Sequence, residues 1–178
     1  YAIAARLAVM PYGRVDAGVA MRIEQQLQQA PATWAERIPL LETQFDWILF
    51  DLPQRLPAHA AAINQHARCT LPLRLACVDP VSHVFLQCQP DDTRLLLANR
   101  YDPVIPVQRD LMQLWLHAHG ARLVPQPLHE DARVPSALAS KQPLGRYATD
   151  SLAAADVDGL VLWCLAEATR RQAAARGR

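Results

Sequence analysis

The chain is 178 residues long, 51% hydrophobic and 20% charged, with a formal net charge of +1. That is an ordinary globular composition with room for a real core. It excludes the strongly basic footprint of a nucleic-acid-binding domain, and no run approaches the ~18 apolar residues that span a membrane. Taken in chain order, the sequence opens on Tyr1-Ala2-Ile3-Ala4-Ala5-Arg6, which reads as the end of an element and implies that an amino-terminal part is missing. Leu7-Ala8-Val9-Met10 predicts a short buried strand closed by a turn at Pro11-Tyr12-Gly13. Val19, Ile23 and Leu27 recur at helical spacing and predict a helix over Ala17–Gln29. Pro31 suits the first turn of a second helix through Trp34, Ile38 and Leu41, which Pro39 kinks or splits.

Phe45-Asp46-Trp47-Ile48-Leu49-Phe50-Asp51-Leu52-Pro53 is an apolar run without alternation that ends in a carboxylate. Such runs belong to strands covered on both faces, so it predicts a strand that delivers Asp51 to its carboxyl end. A helix is expected near residues 58–66, a strand over 73–78 ending at Asp79-Pro80, a short helix over 81–88, and a strand at 95–98 ending at Asn99. Residues 107–119 predict an amphipathic helix with Leu111, Leu114 and Trp115 on one face. A short strand at 122–125, a helix over 132–140 and a long terminal helix over about 150–170 complete the list. In that last helix Leu152, Val157, Leu160, Val161 and Trp163 are expected to pack on the sheet. The alternation predicts βαβ units, and hence an α/β fold with a mainly parallel sheet flanked by helices on both faces.

Several chemistries are excluded within these residues. There is no G-x-x-x-x-G-K-[ST], G-x-G-x-x-G or G-x-S-x-G, because the six glycines are scattered. The six histidines form no H-E-x-x-H, and His117 and His119 fall on different helix faces. Ser82 and His83 are adjacent and cannot face each other as nucleophile and base. Cys69, Cys77, Cys88 and Cys164 lack C-x-x-C spacing and read as reduced core residues of a cytosolic protein.

Polar residues stand at three expected strand ends: Asp51, then Asn99-Arg100, then His129-Glu130-Asp131. Parallel strands put such ends on one edge, where open α/β sheets bind ligands. A carboxylate there can hold magnesium through water, and an amide can both donate to and accept from an adenine edge. Each position also suits a turn or a cap, so the pattern alone leaves both open.

The order of these features, with Glu130-Asp131-x-x-Val134-x-x-Ala137 and Pro143 twelve positions after Asp131, resembles the MinD/ParA group of deviant P-loop ATPases. Within that group the carboxyl-terminal third most resembles the BcsQ (YhjQ) family of cellulose biosynthesis proteins. The residues that carry this are Gln113-Leu114-Trp115-Leu116, the run from Ala139 through Lys141, Pro143 and Gly145 to Tyr147, Asp150-Ser151-Leu152-Ala153-Ala154, and Trp163-Cys164-Leu165. The resemblance implies that residues 1–178 are the carboxyl-terminal two-thirds of one ATPase domain. It implies ATP and magnesium as ligands, with Asp51 on the magnesium side through water. Asn99, Arg100, His129, Glu130 and Asp131 would lie around the base. His129 departs from the group's pattern, which has Pro in P-x-D. The phosphate-binding loop of the group does not occur in these residues, so no catalytic residue is assigned to this chain.

As function, the resemblance implies a nucleotide-switched homodimer that assembles or localises the cellulose synthase complex with its subunits and regulators. Weak ATP hydrolysis is at most secondary. The protein would work in the cytoplasm, peripheral to the inner membrane through its partners, without binding nucleic acid. A scaffold that does not hydrolyse nucleotide is the alternative; a chromosome or plasmid partitioning ATPase has the same fold but is disfavoured by the charge. Arg170, Arg171, Arg176 and Arg178 lie among alanines, so the tail is expected to be solvated and frayed, with no direct membrane insertion.

Overall fold

The computed structural model describes residues 2–4, 7–10, 15–66, 69–89 and 91–176. The chain divides into two compact units, Tyr1–Cys69 and Thr70–Arg178.

In the first unit, β1 (Ala2–Ala4) pairs antiparallel with β2 (Leu7–Ala8), Ala2 opposite Ala8 and Ala4 opposite Leu7. The strand expected at residues 7–10 is therefore short and not buried, since Leu7, Val9 and Met10 are all exposed. The turn expected at Pro11-Tyr12-Gly13 lies outside the described residues. Helix α1 (Ala17–Gln29) forms as its spacing requires. Asp16 caps it by accepting the Val19 N–H at 2.9 Å, and Leu27 points into the core. Pro39 splits the second helix rather than kinking it. A 3-10 turn at Ala35–Arg37 gives way to α2 (Ile38–Leu41), where Pro39 sits in the first turn and forfeits no helical bond. Ala35 and Ile38 are buried, as are His59, Ala60 and Ile63 on α3 (Ala58–Asn64), which packs against α1.

The run 45–53 is not a strand. Leu49 is 90% exposed, and Trp47 is exposed as well. An apolar run is a buried strand only where ladders satisfy its backbone and layers cover its faces. The described neighbours within this unit are helices and a small strand pair that does not bond to the run, which supply neither. Pro53 and Pro57 further deprive the segment of backbone donors.

The second unit is the α/β layer structure that the alternation predicts. Strand β3 (Leu73–Cys77), helix α4 (Pro80–Gln87) and strand β4 (Leu95–Asn99) make one βαβ unit. Its strands pair in parallel register from Leu73 opposite Leu95 to Cys77 opposite Asn99. Asp79 caps α4 by accepting the Ser82 N–H at 2.8 Å, and Pro80 fills its first turn. On the other side of β4 runs the segment 122–130, also parallel. Leu96 donates to Arg122 O and Val124 donates to Leu96 O, each at 2.8 Å, and Leu128 donates to Ala98 O at 2.9 Å. This rib makes bridges rather than a continuous strand, because Pro125 and Pro127 have no N–H for the ladder.

Strand β4 carries the pattern that the sequence seemed to place at Asp51. Leu95, Leu96, Leu97 and Ala98 are all buried, Leu96 completely. Leu96 and Ala98 join Ala76, Val78, Leu86, Leu111, Met112 and Trp115 on one face, under α4 and α5 (Pro106–His119). Leu95 and Leu97 join Val124 on the other, where Leu160 and Trp163 of α8 (Leu152–Arg176) cover them. Met112 takes the inward position expected for Leu114, which is 52% exposed. Between α5 and α8 lie α6 (Arg133–Ala139) and α7 (Leu144–Tyr147).

Helix α8 differs from expectation in face and in length. The inward stripe runs through Ala153, Asp156, Leu160, Trp163, Glu167 and Arg171, while Leu152, Val157 and Val161 face solvent. The tail is helical to Arg176 rather than frayed. Glu167 pairs with Arg170 and with Arg171, whose Nη1 also donates to Thr70 O at 3.0 Å. At the amino ends of the strands, Asp92 is ion-paired with Arg94 and Arg74, each at 2.8 Å.

Candidate functional site

The carboxyl edge of the second unit's sheet is built by backbone pairing. Val78, just past β3, donates to Asn99 O at 3.0 Å, which fixes the end of β4. Tyr101 then donates to Leu128 O, and Glu130 donates to Tyr101 O, each at 3.0 Å. The chain after β4 and the segment 128–130 therefore lie side by side. Asn99, Arg100, His129 and Glu130 share this one edge, as the parallel arrangement requires, and Asp131 follows directly.

Arg100 adopts φ 54°, in the left-handed region that a non-glycine residue enters at a cost of order 1 kcal/mol or more. Its Nε donates to Glu130 Oε2 at 2.6 Å, a pairing that crosses the edge and is largely open to solvent. Glu130 thereby raises the Arg100 pKa further above its ordinary value. Asn99 is partly buried, and its side-chain amide makes no hydrogen bond among the described residues. The loop beyond is pinned by Asp102, whose N–H donates to Gln108 Oε1 at 2.6 Å and whose Oδ1 accepts the Val104 N–H at 2.9 Å.

Asp131 is engaged by the protein itself. Oδ1 accepts the Arg133 N–H at 2.8 Å and Oδ2 accepts the Ala153 N–H, in the first turn of α8, at 3.1 Å. These two backbone donors hold its carboxyl below the usual range. It works as a bracket between the loop and α8. His129 is tied to the same helix: its ring Nδ1 lies 2.9 Å from Asp156 Oδ2, and its ring sits 5.5 Å from that of Tyr101.

Asp51 belongs to the first unit, exposed on the irregular segment that ends at Pro53. No cluster of three or more His, Cys, Asp or Glu suited to a metal occurs among the described residues. Three residues at or beside this edge were not among the candidate site residues of the sequence reading. Asp79 stands at the end of β3 but spends both oxygens on Ser82, accepting its N–H at 2.8 Å and its hydroxyl at 3.1 Å. Tyr101 and Asp156 are the others. Asp156 was legible in principle, because it shares a helical stripe with Ala153, Leu160 and Trp163, and an acid on such a stripe needs partners.

Away from this edge, His83 turns out to be structural. Its Nδ1 accepts the indole N–H of the fully buried Trp115 at 3.1 Å. No helix of the described residues is long and apolar enough to cross a membrane.

Comparison with known proteins adds the family. Residues 1–165 match the family model described as cellulose biosynthesis protein BcsQ. Cellulose biosynthesis protein BcsQ of Escherichia coli strain K12 is 32% identical over 173 residues, which cover 90% of this chain and 64% of that protein. The protein of the same name from Salmonella typhimurium strain LT2 is 32% identical over 171 residues, with the same two coverages of 90% and 64%. The chain thus spans a little under two thirds of the length of these curated relatives.

Proposed function

The chain belongs to the BcsQ family of cellulose biosynthesis proteins, and from that premise we propose that it serves cellulose biosynthesis as an ATP-binding, nucleotide-switched homodimer. The dimer assembles or localises the cellulose synthase secretion complex, in the cytoplasm and at the inner membrane through its partners. The observation that carries this is the shared carboxyl edge. Asn99, Arg100, His129 and Glu130 converge where parallel α/β sheets bind ligands.

The residues of this edge suit a base. The Asn99 amide makes no hydrogen bond among the described residues, and it offers both a donor and an acceptor, the requirement for an adenine edge. Tyr101 and His129 offer ring surface beside it. The strained Arg100 is a feature that clusters at ligand sites. On the family resemblance alone, Asp51 would take the magnesium-side role, holding the ion through water. Magnesium, when bound, neutralises phosphate charge.

The test is magnesium-dependent binding of ATP to the full-length protein, with sedimentation velocity to follow dimerisation. ATP should bind with magnesium and raise the dimer fraction, and Asp51→Ala should weaken that binding without lowering the melting temperature. Equal ATP affinity for the Asp51→Ala variant and its parent would remove Asp51 from the site.

A second reading, a scaffold that does not turn nucleotide over, is favoured by the way the edge's charges are spent. Arg100 and Glu130 neutralise each other, and Asp131 brackets α8. Recruitment of the complex by a protein that shows no ATP dependence in the same sedimentation experiment would decide for the scaffold.

A further inference from the structure

Asp156 is 3% exposed, and its side-chain hydrogen bonds all reach one loop. Oδ2 accepts the backbone N–H of His129 at 2.8 Å and meets the ring Nδ1 of the same residue at 2.9 Å. Oδ1 accepts Gln126 Nε2 at 3.0 Å. The backbone N–H and Gln126 are donors whatever the ring's state, one to each oxygen, and as a carboxylate Asp156 has no proton of its own to give. The hydrogen between Asp156 and the ring therefore belongs to His129 Nδ1. In a neutral imidazole the other nitrogen, Nε2, is then left with a bare lone pair. No described residue donates to it, while the Tyr101 ring, 5.5 Å away and tilted by 38°, backs the imidazole.

Satisfying a buried carboxylate would need only donors, and the backbone N–H and Gln126 already supply two. The ring adds a third bond whose distinctive consequence is the choice of tautomer.

We propose that Asp156 is a positioning residue that holds His129 as the Nδ1–H tautomer, so that the bare Nε2 accepts from the exocyclic amino group of adenine and repels the carbonyl of guanine. The proposal rests on nucleotide binding at this edge. Adenine's amino group carries two N–H donors, so the Asn99 amide oxygen and His129 Nε2 can take one each. Asp156 touches no ligand and acts through the imidazole alone.

Two measurements on the full-length protein test this. Long-range proton–nitrogen spectra of the histidine-labelled protein in alkaline buffer read which ring nitrogen is protonated. Competition of ATP and GTP against a fluorescent ATP analogue, with magnesium, reads base preference. The parent should show His129 protonated at Nδ1 and bare at Nε2, and Asp156→Asn should shift that balance toward Nε2–H. Both Asp156→Asn and His129→Phe should lower the ATP-over-GTP preference roughly 2- to 10-fold, the worth of one neutral hydrogen bond, without weakening GTP.

Should Asp156→Asn fail to fold, His129→Phe and the parent spectrum decide, since His129→Phe keeps the backbone bond to Asp156. A parent ring protonated at Nε2 overturns the tautomer lock. Tight nucleotide binding with an unchanged preference in His129→Phe overturns the selectivity while leaving the nucleotide site standing. Failure of the parent to bind either nucleotide overturns both.

Discussion

Asn99→Ala isolates the base contact from the fold. Asn99 ends β4, and its backbone carbonyl accepts the Val78 N–H at 3.0 Å. That bond survives any side-chain substitution. The amide itself makes no hydrogen bond among the described residues and is only partly buried, so its removal strands no partner and opens no cavity. The stability change should stay within about 0.5 kcal/mol, as for substitutions away from packed or bonded groups. Base discrimination should respond far more. A side-chain amide that pairs with adenine through both its donor and its acceptor is worth ~1–3 kcal/mol against the wrong base, which is roughly 5- to 150-fold in relative affinity. The assay is competition of ATP and GTP in parallel with a urea melt followed by circular dichroism. The expected result is a reduced ATP preference at an unchanged midpoint. An unchanged preference would refute the base role and leave Asn99 as a strand-end turn residue. A large stability loss would show instead that the amide bonds its own backbone.

Three other outcomes follow from packing and charge. A double-mutant cycle of Trp115→Phe and His83→Ala should give a coupling of about 1 kcal/mol in urea unfolding for the indole–imidazole bond; zero coupling would mean that the bond contributes nothing. Leu96→Ala removes a completely buried side chain at the centre of the sheet and should cost about 2–5 kcal/mol, with a smaller loss ruling out the two-sided burial of β4. Asp92 has its carboxyl held well below the usual range by the Arg94 guanidinium first and by Arg74 after it. A depressed folded-state pKa gives stability that is complete above the unfolded value, about 3.9, and is lost as pH falls below it. Asp92→Asn should therefore flatten the acid limb of a stability–pH profile while lowering stability at neutral pH; parallel acid limbs for variant and parent would contradict this.

Local signals and layer signals were unequally legible. Helices α1 and α5 could be read because one face of each is apolar at a single period, and the strand at 95–98 because turn residues bound it on both sides. The run at Asp51 is apolar and without alternation like β4, yet only β4 is a buried strand. The difference lies outside the segments. Leu95 to Ala98 have the β3 ladder on one side, the bridged segment 122–130 on the other, and α4, α5 and α8 over the two faces. Residues 45–51 have neither within their own unit. Hydrophobicity states a demand for burial, and the neighbours decide whether it is met. The choice of face on α8 failed in part for a related reason. Counting large apolar residues placed Leu160 and Trp163 inward correctly but added Leu152, Val157 and Val161, whereas the rest of the packed face consists of small residues and acids, with bonds from Ala153 and Asp156 reaching residues 22 to 30 positions away.

The site follows the same division. Asn99, Arg100, His129 and Glu130 could be assigned to one edge because parallel topology places strand ends together whatever their side chains do. What those side chains do was not legible, since it depends on Asp156 and Ala153, the groups of α8 that hold His129 and Asp131. Backbone pairing set the position of this edge, and one buried carboxylate on a distant helix holds His129 in place there. Substitutions on the α8 stripe should therefore alter ligand preference at least as much as those on exposed residues of the edge. Asp156→Asn against Arg100→Ala makes the comparison: Arg100 is a solvent-facing partner of Glu130, whose exposed pairing contributes little. A larger change in ATP-over-GTP preference from Arg100→Ala than from Asp156→Asn would reverse that order and place control of the site on its surface.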